Sequence, residues 1–102
     1  MSITYQKIKI PESKTLILAK DEDGYIVGKF CYLTHQNGFF RACGTSVLPE
    51  KRGRGIAKNL WRNAIEHARP TMIEVVTVSL EGILLVESLK KEYNHIEWEH
   101  IT

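Results

Sequence analysis

The sequence predicts an α+β domain, a central and mostly antiparallel sheet with two helices, in the element order ββββαβαβ. Three observations predict it. Apolar and polar residues alternate with period two from Ile3 to Ile10, the mark of a strand with one buried face. Asn37-Gly38 falls between two β-branched and aromatic runs, Tyr25 to Thr34 and Phe39 to Val47, where a tight hairpin turn needs residues that accept positive φ. Ala57, Leu60, Trp61, Ala64, Ile65 and Ala68 then recur at the spacing of one helix face.

In chain order, Pro11-Glu-Ser-Lys14 interrupts the first strand before Leu16-Ile-Leu-Ala19, and Asp21-Glu-Asp-Gly24 is a turn signal before the third strand. With Asn37 and Gly38 as the two loop residues of the hairpin, positions summing to 75 lie opposite one another, so Tyr32 faces Cys43 and Cys31 faces Gly44. Cys31 and Cys43 are then expected on opposite faces of the sheet, unable to bridge, as buried small apolar residues. Lys58, Arg62, Glu66 and His67 occupy the polar face of the first helix, and Pro70 ends it. Met72 to Ser79 reads as a strand, Glu81 to Tyr93 as a second helix with Leu85, Leu89 and Tyr93 on one stripe, and the segment around Ile96 and Trp98 as a last strand.

The 102 residues, 43% of them apolar, are expected to form one domain over residues 1–102 with a single core. The first ten residues carry Lys7 and Lys9 and lack the apolar run of a signal peptide or membrane anchor, so a cytoplasmic protein with no membrane partner is expected. Two cysteines and four scattered histidines match neither a disulfide framework nor a metal site. The charge is uneven. The net charge is +2, yet Lys51 to Arg69 alone carries a local +5 (Lys51, Arg52, Arg54, Lys58, Arg62 and Arg69 against Glu66). An anion is expected beside this segment. Nucleic acid is the weaker choice of anion, because aromatic residues are not interleaved with the basic ones as stacking platforms.

The segment Val47-Leu-Pro-Glu-Lys-Arg-Gly-Arg-Gly-Ile-Ala57 joins a strand to a helix. Gly53 and Gly55 allow a ligand close to the backbone, and the first N–H groups of the helix have no intrahelical partner and carry partial positive charge. A pyrophosphate suits such a site, with Arg52 and Arg54 adding charge-assisted hydrogen bonds. Neither a Walker loop nor the Gly-x-Gly-x-x-Gly fingerprint is present.

At this loop the chain resembles the GNAT superfamily of acetyl-CoA-dependent N-acetyltransferases. The phosphate loop of that family has the pattern Gln/Arg-x-x-Gly-x-Gly/Ala, which Arg52-Gly-Arg-Gly-Ile-Ala57 fits at its three fixed positions, and the resemblance spans roughly Leu16 to Tyr93. It implies that acetyl-CoA is the cofactor, its pyrophosphate on the amides of Arg52, Gly53, Arg54, Gly55, Ile56 and Ala57. It also implies that the pantetheine arm meets the backbone near Val47, where the strands carrying Val47 and Val78 splay apart. The activity implied is transfer of an acetyl group to an amine on a small molecule or protein.

The chain departs from the pattern in three places. Pro11 to Thr15 leaves no room for the two helices that usually follow the first strand and wall the acceptor site, so that site is open or completed by another chain, a homodimer being one expected arrangement. Arg41 stands where many members place a glutamate base, and Val86 where many place a tyrosine acid. No residue is assigned a catalytic role. Glu50, Tyr93, Ser79 and the four histidines could move protons, but each has a plainer reading: ion pair, core, N-cap and surface respectively. A non-catalytic domain of the same fold, acting through protein contacts, is the alternative.

Overall fold

A computed structural model describes residues 2–11, 14–35, 38–76 and 79–101. Four strands come first: β1 (Thr4–Ile10), β2 (Lys14–Lys20), β3 (Ile26–Thr34) and β4 (Phe39–Val47). Helix α1 (Ile56–Ala68), strand β5 (Met72–Val75), helix α2 (Leu80–Glu92) and strand β6 (Glu97–His100) complete the order expected from sequence. The six strands form one sheet in sequential order. The first three pairings are antiparallel, whereas β4·β5 and β5·β6 are parallel, so the sheet is mixed.

Local chemistry explains the boundaries. The Asp21 carboxylate accepts from the Asp23 and Tyr25 amides, each at 3.0 Å, and Gly24 takes φ 86°, which closes the turn between β2 and β3. Helix α1 ends at Arg69, in the left-handed region at φ 47° just before Pro70. Helix α2 begins under an N-cap, with Ser79 Oγ accepting from the Gly82 amide at 3.1 Å.

Two parallel crossovers running in one direction along the sheet place both helices on the same face. Phe30, Phe40, Ile17, Leu60, Ile73 and Leu89 are fully buried between them and the sheet. Gly28 lets α1 approach closely: a Cβ there would sit 3.2 Å from both Ile56 and Leu60. Phe30 stacks on Trp61 with ring centroids 4.5 Å apart, and Trp61 in turn faces Trp98 of β6 at 6.2 Å.

The hairpin differs from the sequence reading. His35 donates its amide to the Phe39 carbonyl at 2.8 Å and Thr34 pairs with Phe40, so three residues, not two, separate the paired ends. Gln36 and Asn37 lie outside the described residues; Gly38 has the expected positive φ, 74°. The register then shifts again. Tyr32 pairs with Ala42 and Cys31 with Gly44, which leaves Cys43 as the extra residue of a β-bulge. The two cysteines consequently share a face, the one away from the helices. The Cys31 thiol is pushed up in pKa by burial and by its hydrogen bond to the Cys43 thiol, and Cys43 is exposed.

Strand β5 stops at Val75, and Thr77 and Val78 lie outside the described residues, so the expected partner of Val47 across the gap does too. No described helix is long and apolar enough to cross a membrane.

Candidate functional site

Strands β4 and β5 pair over three positions, Phe39↔Met72, Phe40↔Ile73 and Arg41↔Glu74. Beyond Arg41, β4 continues for six residues with β3 on one edge and no described strand on the other. This divergence opens a cavity of about 890 Å³. Ala42 to Val47 form one side; Val75, Val76, Leu85 and Val86 form the other; and the loop before α1 closes one end.

The expected phosphate loop forms that end. Lys51, Arg52, Gly53, Gly55, Ile56 and Ala57 all line the cavity, as does Val47; Arg54 is exposed outside the lining. Gly53 and Gly55 have φ of 78° and 79°, and a Cβ built on either meets nothing within 4 Å, so both glycines answer to backbone conformation and to open space rather than to packing. Gly55 is the N-cap of α1, with no side chain capping it and no acidic residue in the first turn. The first intrahelical amide bond is Asn59 to the Gly55 carbonyl at 3.0 Å, so the amides of Ile56, Ala57 and Lys58 have no intrahelical acceptor. These donors, the dipole and two cations suit a pyrophosphate in charge and in number.

Arg52 reaches back, its Nε donating to the Val47 carbonyl at 3.2 Å. Trp61 closes the cavity floor, and its indole N–H donates to Thr45 Oγ1 at 2.8 Å. Lys58, also in the lining, binds Ser88 Oγ and lies 3.6 Å from Glu92, which pins the two helices together beneath the site. The two Arg62–Glu92 hydrogen bonds, at 2.8 and 2.9 Å, extend this link and hold the Glu92 carboxyl below its ordinary pKa.

Most candidates for proton transfer lie elsewhere. Tyr93 donates to Glu66 at 3.1 Å, away from the cavity, and burial together with that carboxylate pushes its phenol up to about 12. Ser79 borders the cavity but serves as the cap of α2. Glu50 is exposed on a 3₁₀ turn at Pro49–Lys51. His35, His67, His95 and His100 are exposed and outside the lining. Arg41 forms a 2.9 Å ion pair with Glu74, so its charge is met within the sheet rather than offered to an acceptor. Val86 lines the cavity, fully buried. Sequence reasoning missed Glu81, the one carboxylate among the described lining residues, and Cys43, which lines the cavity as a residue while its thiol meets Cys31 on the far face of the sheet. Glu81 had a signal, its place in the first turn of α2; Cys43 had none, because the bulge is set by the neighbouring strand.

Comparison with known proteins agrees with this geometry. The sequence profile of the acetyltransferase (GNAT) family matches residues 2–81, and the chain belongs to that family. No curated protein matches it. Among solved structures, a GNAT family acetyltransferase from Streptococcus pneumoniae superposes with a TM-score of 0.75 at 17% identity, over 91% of this chain and 92% of that one. An IAA acetyltransferase from Bacillus cereus gives 0.73 at 20% identity, over 86% of this chain and 75% of that one. A Bacillus anthracis protein solved in complex with acetyl coenzyme A gives 0.50 at 19% identity, over 56% of this chain and 32% of that one.

Proposed function

We propose that this chain binds acetyl-CoA in the gap between β4 and β5 and transfers its acetyl group to an amine. One observation carries the proposal: the uncapped amides at the start of α1 and the edge of β4 that no described strand pairs belong to a single cavity. The amides of Ile56 and Ala57, with Arg52 and Arg54, would hold the pyrophosphate, and Gly53 and Gly55 would admit it to the backbone. The edge of β4 from Ala42 to Val47 would take the amides of the pantetheine arm as a further strand takes its partner. The acyl donor supplies an activated thioester, and the chain supplies orientation. The acceptor is an amine on a small molecule or protein, met by the chain on a side that another copy would wall, and the setting is the cytoplasm.

Direct attack needs a neutral amine held against the thioester. Glu81 is the one carboxylate in the described lining, and no histidine or tyrosine accompanies it. With no base to deprotonate the acceptor, an amine of pKa about 10 is roughly one part in a thousand neutral at pH 7, and the rate climbs about tenfold per pH unit. Thiol release with polyamines, amino acids and lysine peptides between about pH 6.5 and 9.5 tests this. A flat, fast profile at pH 7 that Glu81→Gln abolishes would instead make Glu81 the base.

A second reading has observations of its own. Val76, Leu80, Ile83 and Leu84 are exposed around the start of α2, and Arg41 and Val86 stand at the two proton-transfer positions. A domain acting through protein contacts would bind acetyl-CoA without releasing thiol to any acceptor.

A further inference from the structure

Neither cysteine thiol serves the cavity, yet the fold brings the two together. Cys31 pairs with Gly44, and Cys43 is the residue that the bulge inserts beside that pair, so two residues of β4 oppose one of β3. Residues opposed in an antiparallel pair lie about 4.5–5.5 Å apart at Cα, inside the roughly 4.4–6.8 Å that a disulfide spans. Both side chains point away from the helices, because Phe30 and Tyr32 beside Cys31, and Ala42 and Thr45 on either side of the bulge, pack toward them. The Cys31 thiol hydrogen-bonds the Cys43 sulfur, which lies 3.9 Å from the Arg41 carbonyl oxygen. Gly44 leaves open space across from Cys31, since a Cβ there would meet nothing within 4 Å.

The surroundings suit thiol chemistry. Cys43 is exposed and Cys31 half-buried, on a face that no described helix covers. Lys14 and Lys29 put positive charge near Cys31, which favours its thiolate against the burial that opposes it. An exposed sulfur next to a shielded one supplies an attacking thiol and a resolving thiol.

We propose that Cys31 and Cys43 are a reversible redox site, closing to a disulfide between β3 and β4 when a small-molecule disulfide reaches this face. The Cys43 thiolate attacks one sulfur of that disulfide, which releases one small thiolate and leaves the other half bonded to Cys43. Cys31 then loses its proton and attacks the Cys43 sulfur, breaking the mixed bond and releasing the second thiolate. The cysteines give up two electrons and two protons in all, and the two small thiols carry them away. A tie on an exposed face is of the labile kind, open again to reduction by the same thiols. Its place bears on the cavity. It falls on the half of β4 that β3 alone accompanies among the described strands, and Ala42, Cys43, Gly44 and Thr45 of that half all line the cavity. The redox state of the pair thus sets how firmly one cavity wall is held. The proposal does not depend on acetyl transfer, and its test reads thiols rather than activity.

The reduced chain is to be incubated with glutathione disulfide at a series of ratios to glutathione, quenched in acid and alkylated. Mass spectrometry is expected to show one form giving way to another as the ratio rises. The first takes an alkyl group at each cysteine; the second takes none and is lighter by the hydrogens lost. Excess glutathione is expected to reverse the change. Cys31→Ser is expected to stop at the mixed disulfide with glutathione, and Cys43→Ser to lose most of the reaction. If circular dichroism shows Cys31→Ser misfolded, Cys31→Ala carries that arm. Hydrogen exchange at Ala42 to Thr45 is expected to slow about tenfold in the bridged protein, and to be unaltered in Cys43→Ser under the same treatment. Thiols that still alkylate in excess glutathione disulfide, a mixed disulfide as the wild-type end product, or bridges only between chains would each overturn the proposal. Equal exchange in both redox forms would overturn its link to the cavity.

Discussion

The Arg52 guanidinium donates to the Val47 carbonyl across 3.2 Å, so the loop before α1 is tied to the free end of β4 by one of its own cations. A ligand that spans loop and strand must therefore share this guanidinium or turn it toward itself.

Replacing both cations of the loop, Arg52→Ala with Arg54→Ala, is expected to weaken acetyl-CoA binding by one to two orders of magnitude, given about 1.4 kcal/mol per factor of ten. Added salt is expected to weaken wild-type binding in the same direction. Titration calorimetry reads both; unchanged affinity in a folded double variant would take the loop out of the site.

Gly55→Val and Gly28→Val are expected to separate binding from folding. At Gly55, φ is 79° and the space beside it is open, so valine costs about 1–3 kcal/mol of backbone strain and intrudes where the phosphates are proposed to lie. At Gly28 the new side chain drives into Ile56 and Leu60, 3.2 Å from its Cβ, and the helix itself must move. Thermal melts are expected to show the larger loss for Gly28→Val, with acetyl-CoA binding abolished in the better folded Gly55→Val.

Thr45→Val removes the acceptor of the Trp61 indole, whose residue is 4% exposed. An indole N–H left without a partner costs about 1–3 kcal/mol, so urea unfolding is expected to shift by that amount, and Thr45→Ser to recover most of it. Equal stability of the valine and serine variants would show that the hydroxyl contributes nothing.

The Tyr93 phenol, pushed up to about 12 by burial and by Glu66, gives an alkaline limit. The unfolded chain releases this proton near pH 10 and the folded chain holds it, so the unfolded state binds fewer protons between those values and stability falls as pH rises from about 10 to 12. Below about pH 10 both states are protonated, and the contribution is complete. Tyr93→Phe is expected to flatten part of that fall in denaturation curves taken across the window. An unchanged slope would assign the alkaline loss to other groups.

What the sequence made legible was periodic or carried its own turn chemistry. The strand β1, the helical repeat from Ala57 to Ala68 and the loop Arg52 to Ala57 depend on residues near one another in the chain and appear where expected, although β1 has no single buried face: Tyr5 packs on the core while Ile8 and Ile10 point the other way. What it hid depends on partners far away. The shift of Cys31 and Cys43 onto one face follows from how β3 fits β4, and the pairing of Arg41 with Glu74 joins residues 33 apart. The early end of β5 at Val75 is likewise invisible in a run of β-branched residues, because strand length is set by where β4 stops accompanying it.

The extra residue at Cys43 fixes the phase of everything after it in β4. Ala42 and Thr45, three apart, both face the helices, and Val47 follows Thr45 in step. Deleting one residue between Ala42 and Thr45 would remove the bulge and leave the two residues two apart on one face, so Thr45 stays beneath Trp61, whereas deleting Ser46 would turn Val47 to the opposite face. The segment is thus open to a change in length at one place only, and variants of the chain should lose a residue at the bulge between Ala42 and Thr45 far more readily than between Thr45 and Val47.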